Sequence, residues 1–528
     1  MTDTQHTDTL IIGAGSAGCV LANRLSQDPT HNVILLEAGG ADRWHWIHIP
    51  VGYLYTMGNP KTDWCYQTTA QEGLNGRQLN YPRGRVLGGS SSINGMIYMR
   101  GQAADYDSWG ASEWSWDQVL PYYKRSESYH AGADEWHGED GELRVETQRL
   151  RWPILDAFKR VCESAGFADR PDFNRGDNAG VGFFEVNQRR GIRWSSARAF
   201  LKPVRHRSNL TIKTHTLTNR LCFEGTRCTG VEIIQNGQSQ IIRAGRVILA
   251  AGAIGTPALL ERSGIGQEQH LQSLQVPVHQ VLNGVGENLQ DHLQIRLQYR
   301  LKHGDTLNQR ANSLLGRLTM AAQYAYNRSG PLSMAPSQLG AFFKSSETVD
   351  RADLEFHIQP MSADKLGTQL HEFPGMTASV CHLRPSSRGA THIQSVDPKA
   401  APAIDPRYLS APEDQQIAIQ AIRQTRELMR HPELNSFAPV EHKPGAQITS
   451  DAELLQAAGD IATTIFHPVG TAAMGNENDP NAVVSHRLQV HGLDNVFIAD
   501  ASVMPYITSG NTHAPVVMIA ERLADWLT

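Results

Sequence analysis

The sequence predicts an α/β protein with a parallel sheet at its centre, and a second domain built as a sheet with helices on one side. Three stretches carry this prediction. Residues 8–40 read DTLIIGAGSAGCVLANRLSQDPTHNVILLEAGG. Residues 10–12 and 33–36 are short apolar runs, as in strands buried on both faces. Between them Ala17, Val20, Leu21 and Leu25 recur at helical steps. Residues 208–250 alternate as β structure, with Asn236-Gly237 as a hairpin turn. From about 297 to 459 the pattern changes to alternating strands at 353–360, 377–385 and 390–396, a helix near 313–327 and a long helix at 413–430.

The first stretch has a specific chemistry. Gly13, Gly15 and Gly18 stand in the spacing G-x-G-x-x-G between strand and helix. Gly13 allows a tight turn, Gly15 lets backbone approach a pyrophosphate, and Gly18 lets helix and strand pack closely. The open amides and positive dipole of the helix start favour the diphosphate. Glu37, 19 residues past Gly18, stands where an acid accepts ribose hydroxyls. The chain therefore reads as dinucleotide-binding. GAIGTPALLERSGIG and NGVGENLQDH further on lack this spacing, so there is one complete fingerprint, not two.

Composition narrows the class. The chain has 528 residues, enough for two or three cores, and its 19% charged and 40% hydrophobic content suits a globular protein. A net charge of −5 at this size points away from nucleic acid. The six cysteines lack metal-ligand spacing, so no metal is expected. The start shows no signal peptide and no window is apolar enough to span a bilayer. A cytoplasmic protein is expected, with peripheral membrane attachment and homo-oligomerisation left open. Residues 1–7 read as a loose polar tail.

Residues 44–82, dense in Trp, Tyr, Pro and Gly, read as a long excursion over the surface. RGRVLGGSSSINGMIYMRG (83–101) is a poor helix interior and a good cofactor wall, where backbone can approach a planar ligand. Residues 105–150 carry a helical rhythm followed by turns. At the end come a short strand at 496–499 and an amphipathic helix at 516–527. His467, Asp500, Asn511 and His513 lie in the intervening loops.

Six segments match one family in order. They are GAGSAGCVLANRLS with LLEAG, GRVLGGSSSINGMIYMRG, GAIGTPALLERSGIG, NGVGENLQDH, HPVGTAAMG, and ADASVMP with GNTHAP, spread from Gly13 to Pro515. The chain resembles the glucose–methanol–choline flavoprotein oxidoreductases, in the branch of choline dehydrogenases and bacterial alcohol dehydrogenases and oxidases. The resemblance implies FAD and a discontinuous Rossmann-like FAD-binding domain (1–152, 190–297 and 460–528). Into this is inserted an α+β substrate-binding domain (153–189 and 298–459), an antiparallel sheet flanked by helices. It also implies that Ser16, Ala17 and Ala38 join Gly13, Gly15, Gly18 and Glu37 around the ADP half, with Leu217 and Ala251 adjoining. Gly88, Gly89, Ser90, Asn94 and Gly95 would line the flavin, and Asp500, Ala501, Asn511 and His513 would reach it from the last segment.

By the same likeness His467 and Asn511 form the catalytic pair, with His513 as the rival base. A histidine, with its ordinary pKa near 6.5, suits proton transfer at neutral pH. His292, His486 and His491 are read as structural. Two departures from the family matter. Ile93 stands where some relatives carry a flavin-bonded histidine, so FAD is expected to be non-covalent. Gln338 stands where choline-acting relatives place a carboxylate, which disfavours a trimethylammonium substrate. With Phe466 beside His467, the expected substrate is an uncharged aromatic or aliphatic primary alcohol, oxidised by proton loss and hydride transfer to flavin. Oxygen or a quinone-type carrier would take the electrons. Choline oxidation is the alternative, and an FAD-containing hydroxynitrile lyase is the rival of another class.

Overall fold

The structure is a computed structural model that describes residues 6–364 and 368–528. Of the expected loose tail, residues 1–5 lie outside the described residues, while His6 and Thr7 open the first strand. Two large sheets organise the chain. In the first the order is Leu210–Lys213, Val33–Leu36, His6–Ile12, Gln238–Leu249, Arg227–Gln235, Thr216–Glu224, with Val496–Ile498 also on Gln238–Leu249. Gln238–Leu249 has two roles along its length. Up to Arg243 it carries the antiparallel meander, whose hairpin turns at Asn236-Gly237 as expected. Beyond it, the strand lies parallel between His6–Ile12 and Val496–Ile498. Leu10, Ile11 and Leu35 are fully buried, and the helix after the glycine turn packs on this parallel part.

The glycine helix Ser16–Leu25 packs on the C-terminal helix His513–Leu527. Arg24 fastens the two: its Nε and Nη2 donate to the buried Glu521 carboxylate at 2.8 and 2.7 Å, in the fork geometry that suits guanidinium and carboxylate.

The second sheet is antiparallel, in the order Val440–Lys443, Leu293–Arg300, Gly375–His382, Leu354–Gln359, Leu339–Phe343, Gly180–Phe183, with Ala462–Thr464 on Leu293–Arg300. Its strand Leu293–Arg300 runs across position 298, and Ala462–Thr464 follows position 459. One face is apolar. Ile295, Leu297, Leu354, Phe356, Met376 and Val380 join a core with Phe158 of helix Pro153–Ser164 and Ile422 of helix Pro412–Met429. Such alternation ordinarily leaves the polar face in water. Here Arg296, Gln298, Glu355, His357, Gln359, Thr377 and Ser379 are buried as well. The polar face is turned inward, and Arg296, His357 and Gln359 wall a cavity of about 310 Å³ that the first sheet's loops close from the other side.

The stretch 44–82 corrects its expectation. It is packed rather than draped: Ile47, Tyr53, Leu74 and Tyr81 are fully buried, and Trp64, Tyr66 and Pro82 reach the cavity. The aromatic content that suggested a surface excursion supplies apolar area for this packing. Among the described residues, no helix is long and apolar enough to cross a membrane.

Gly18 shows how tightly the first turn is built. A Cβ there would stand 1.9 Å from the Gly13 carbonyl oxygen. Gly18→Ala is expected to lower the melting temperature, at a cost of about 1–3 kcal/mol from overpacking. Thermal unfolding of the purified variant measures it, and an unchanged Tm would mean that the turn can yield.

Candidate active site

The cavity begins at the glycine turn. Gly13, at φ +100°, lies so close to the neighbouring strand's end that a Cβ would meet Ala250 O at 2.5 Å. Gly15, Ser16 and Ala17 bring the start of the first helix to the cavity wall, where the unpaired first-turn amides point outward. Glu37 and Ala38 line the same end, with Leu217 and Ala251 beside them. The Glu37 carboxylate accepts from Ala14 N at 3.0 Å and Gly39 N at 2.8 Å, with acceptor capacity left for hydroxyls. Burial nonetheless pushes its pKa up to about 7. Gly18 and Gly88 are not on the wall. Gly18 sets the helix–strand distance, and Gly88, at φ +89°, shapes the turn that brings Gly89 against Gly15.

Gly89, Ser90, Asn94 and Gly95 continue the wall, with Ile93 among them. Asn94 Oδ1 accepts from Arg193 Nη1 at 2.9 Å, which holds this segment still. Asp500 and Ala501 face it from the last strand. The Asp500 carboxylate is filled by the protein itself, accepting from Gly252 N, Thr256 Oγ1, Ser502 N and Ser502 Oγ at 2.6–2.9 Å. It fixes the start of helix Gly252–Arg262. His513 also lines the cavity, but its Nδ1 engages Ser16 Oγ at 3.0 Å, and burial, then Arg193, lowers its pKa to about 4.

His467 and Asn511 come together, with Asn511 Nδ2 3.0 Å from His467 Nε2. Behind them stands His292, whose Nδ1 is 3.1 Å from His467 Nδ1 and whose Nε2 is 2.9 Å from Leu383 O. This chain assigns the protons. A backbone carbonyl only accepts, so His292 carries its proton on Nε2 and accepts at Nδ1. His467 must then donate from Nδ1, which leaves its Nε2 as a lone pair facing the Asn511 amide. Burial holds both imidazoles below the ordinary histidine pKa. For His467 the effect is large, with His292, His357 and Arg83 pushing the same way.

The backbone around His467 is pinned. Asp291 Oδ1 accepts from His467 N at 2.7 Å, while Oδ2 takes the hydroxyls of Tyr81, Thr464 and Tyr408. Phe466 sits at φ +70°, costly for a bulky residue, held by Thr464 Oγ1 on its N–H and by Arg83 on its carbonyl. Phe466 lines the cavity.

Gln338 does not join this group. It is buried off the cavity wall, its Nε2 donating to Ala335 O at 3.1 Å, and its neighbours Pro336 and Ser337 line the cavity instead. Sequence reading took His292 as structural, whereas it contacts His467 directly, and it passed over Asp291, Arg83, Arg296, His357 and Gln359. Asp291 and His292 stand in the matched segment NGVGENLQDH, the signal by which they could have been found.

Comparison with known proteins decides the family. The GMC oxidoreductase models match residues 7–294 and, for the C-terminal domain, 385–520. The chain is a GMC oxidoreductase. It is 40% identical to the alcohol dehydrogenase [acceptor] of Pseudomonas putida, over 98% of this chain and 95% of that one. It is 39% identical to the mitochondrial choline dehydrogenase of Homo sapiens, over 98% of this chain and 89% of that one. Pyridoxine 4-oxidase from Mesorbium loti shares the fold at a TM-score of 0.90 and 32% identity, over 98% of this chain and 99% of that one. The family and fold read from the six segments are thereby borne out.

GMC oxidoreductases are FAD-binding proteins, and the cavity suits that group. Glycine backbone and a helix start stand where a diphosphate needs amides, and a buried carboxylate stands where ribose needs an acceptor. Gly15 tests the fit. A Cβ on Gly15 would meet nothing nearer than Ala250 O at 3.8 Å, so Gly15→Ala is expected to keep the apoprotein Tm while adding a methyl to the wall that a diphosphate would approach. FAD affinity should fall by roughly tenfold. Flavin titration beside a thermal melt separates the two effects.

Proposed function

We propose that this GMC oxidoreductase oxidises a primary alcohol to the aldehyde with FAD as its redox group. One observation carries the reading: a neutral His467 whose Nε2 lone pair shares the cavity with the Asn511 amide. When bound, FAD would supply the two-electron acceptor for the hydride of the carbinol carbon. The protein's part is positioning and proton transfer. A hydroxyl entering beside His467 meets a base at Nε2 and a donor at Asn511 Nδ2. As it loses its proton to Nε2, His467 becomes an imidazolium whose Nδ1–H remains bonded to His292, and Leu383 O keeps His292 in the accepting tautomer. The rim formed by Phe466, Ile465 and Met57 favours an aromatic or aliphatic alcohol.

Choline is the second reading, favoured by the relatives that bear that name. Against it, Glu37 and Asp500, the carboxylates that line the cavity among the described residues, are both engaged by backbone amides. The expected argument from Gln338 no longer serves, since that side chain is off the wall. A lyase reading separates in one experiment. Under nitrogen an alcohol should bleach the flavin of an oxidoreductase, and no alcohol should bleach that of a lyase. Parallel turnover with oxygen and with a dye acceptor then tells oxidase from dehydrogenase.

Replacement of His467 by Ala should slow anaerobic flavin reduction by roughly 10²–10⁴-fold with FAD still bound. Asn511→Ala should cost less, since it orients oxygen without carrying the proton. A His467 variant that reduces its flavin at the parent rate would remove His467 as the base.

The pH profile follows from burial. Protonated His467 cannot accept a proton, and its environment disfavours that form, so kcat/KM should rise through an apparent pKa below 6.5 and stay level at neutral pH. A rise centred above 6.5 would contradict the neutral relay. Acid precipitation should also release all the FAD, because Ile93 offers no nucleophile for a flavin bond.

A further inference from the structure

We propose that the alcohol oxidised here also carries a carboxylate, held by Arg296. The proposal rests on the alcohol-oxidising reading above and adds the chemical class of its substrate. Arg296 lies on strand Leu293–Arg300. Its neighbours Ile295 and Leu297 go into the helix-covered core, so Arg296 faces the other way and lines the cavity, only 4% exposed. Its guanidinium makes no ion pair and no hydrogen bond among the described residues, and its Nη2 is sealed from solvent with no partner.

Other buried arginines are answered. Arg24 meets Glu521 at 2.7 Å, Arg100 meets Glu127 at 2.8 Å and Arg426 meets Glu441 at 2.8 Å. Arg193, without an acid, bonds Asn94 Oδ1 and the Ser91 carbonyl. Arg296 alone in this group has neither. Burial lowers its pKa to about 10, which still leaves a full cation at neutral pH. A buried cation with no counter-charge is costly, and this one borders the space where substrate must lie.

Its surroundings supply further unmet groups. Ser379 is its direct partner on the next strand, and His357 is paired to Ser379 one strand further. Ser379 Oγ, Gln298 Oε1 and Gln359 Oε1 are buried without partners. The acid on this sheet face is Glu355, and it makes no ion pair with Arg296: its Oε1 lies 3.1 Å from His357 Nε2 without a hydrogen bond between them, and its Oε2 accepts from Cys381 Sγ at 3.7 Å. A guanidinium fork matches a carboxylate in geometry, and a monoanion matches it in charge. The same cation repels a trimethylammonium group.

The test uses the flavin-loaded enzyme. Anaerobic bleaching and kcat/KM are measured with (hydroxymethyl)benzoates and ω-hydroxy carboxylates of increasing length, and with the methyl esters of the same acids. The parent should prefer at least one acid over its ester by roughly tenfold or more, the scale of a charged hydrogen bond. In Arg296→Met that ratio should fall to about one or invert, and Arg296→Lys, which keeps charge but not the fork, should lie between. The preferred acid should raise the Tm of the parent and leave that of Arg296→Met unmoved. If Arg296→Met does not fold, the Lys variant and the parent's acid-to-ester ratio decide alone. Esters oxidised as well as acids by the parent would overturn the carboxylate while alcohol oxidation stands. Loss of FAD from a folded Arg296→Met would assign the guanidinium to the cofactor and overturn it too. If neither series bleaches the flavin, the reaction itself has been misread and the proposal falls with it.

Discussion

Two buried imidazoles that stay neutral govern this site. A single main-chain oxygen, Leu383 O, orients His292, and His292 orients His467. Were His292 free to turn, His467 could carry its proton on either nitrogen, and one of the two tautomers would point an N–H at the Asn511 amide instead of a lone pair. Burial alone would not settle the matter, because it disfavours charge without choosing a tautomer. The choice is made by a carbonyl that can only accept. The pinned backbone of Phe466 and the filled carboxylate of Asp291 serve the same end, since they fix the main chain from which the His467 ring is aimed.

The two sheets divide the labour. The parallel sheet ends in turns that expose backbone amides, so it is suited to hold a ligand by main chain. The antiparallel sheet offers side chains. Its inward face is polar and fully buried, an arrangement that costs stability wherever a partner is missing. Unmet groups are gathered on that one face, and Arg296, His357 and Gln359 of it line the same cavity as His467.

Much of this was legible in the sequence. The strand–turn–helix at residues 8–40 is local, and its glycines act on neighbours within a few residues, so spacing reveals it. His467 and Asn511 came from motif likeness. What could not be read depends on contacts across long separations. His292 and His467 are 175 residues apart, and no spacing rule joins them. Arg296 was hidden for another reason. Alternating polar and apolar residues read as a sheet with one wet face, and only the packing of one domain on the other shows that face to be dry. Gln338 failed because a short likeness placed it by sequence while its strand entry turned it away from the cavity.

The clamp between Arg24 and Glu521 joins residues 497 apart, and so does the contact of Ser16 with His513. The glycine turn at Gly13 and the loop residues Asp500, Ala501, Asn511 and His513 nevertheless line one cavity. Neither segment alone carries more than part of that wall. A cut between them would separate the two halves of the site, and the Arg24–Glu521 clamp is what would hold such pieces together.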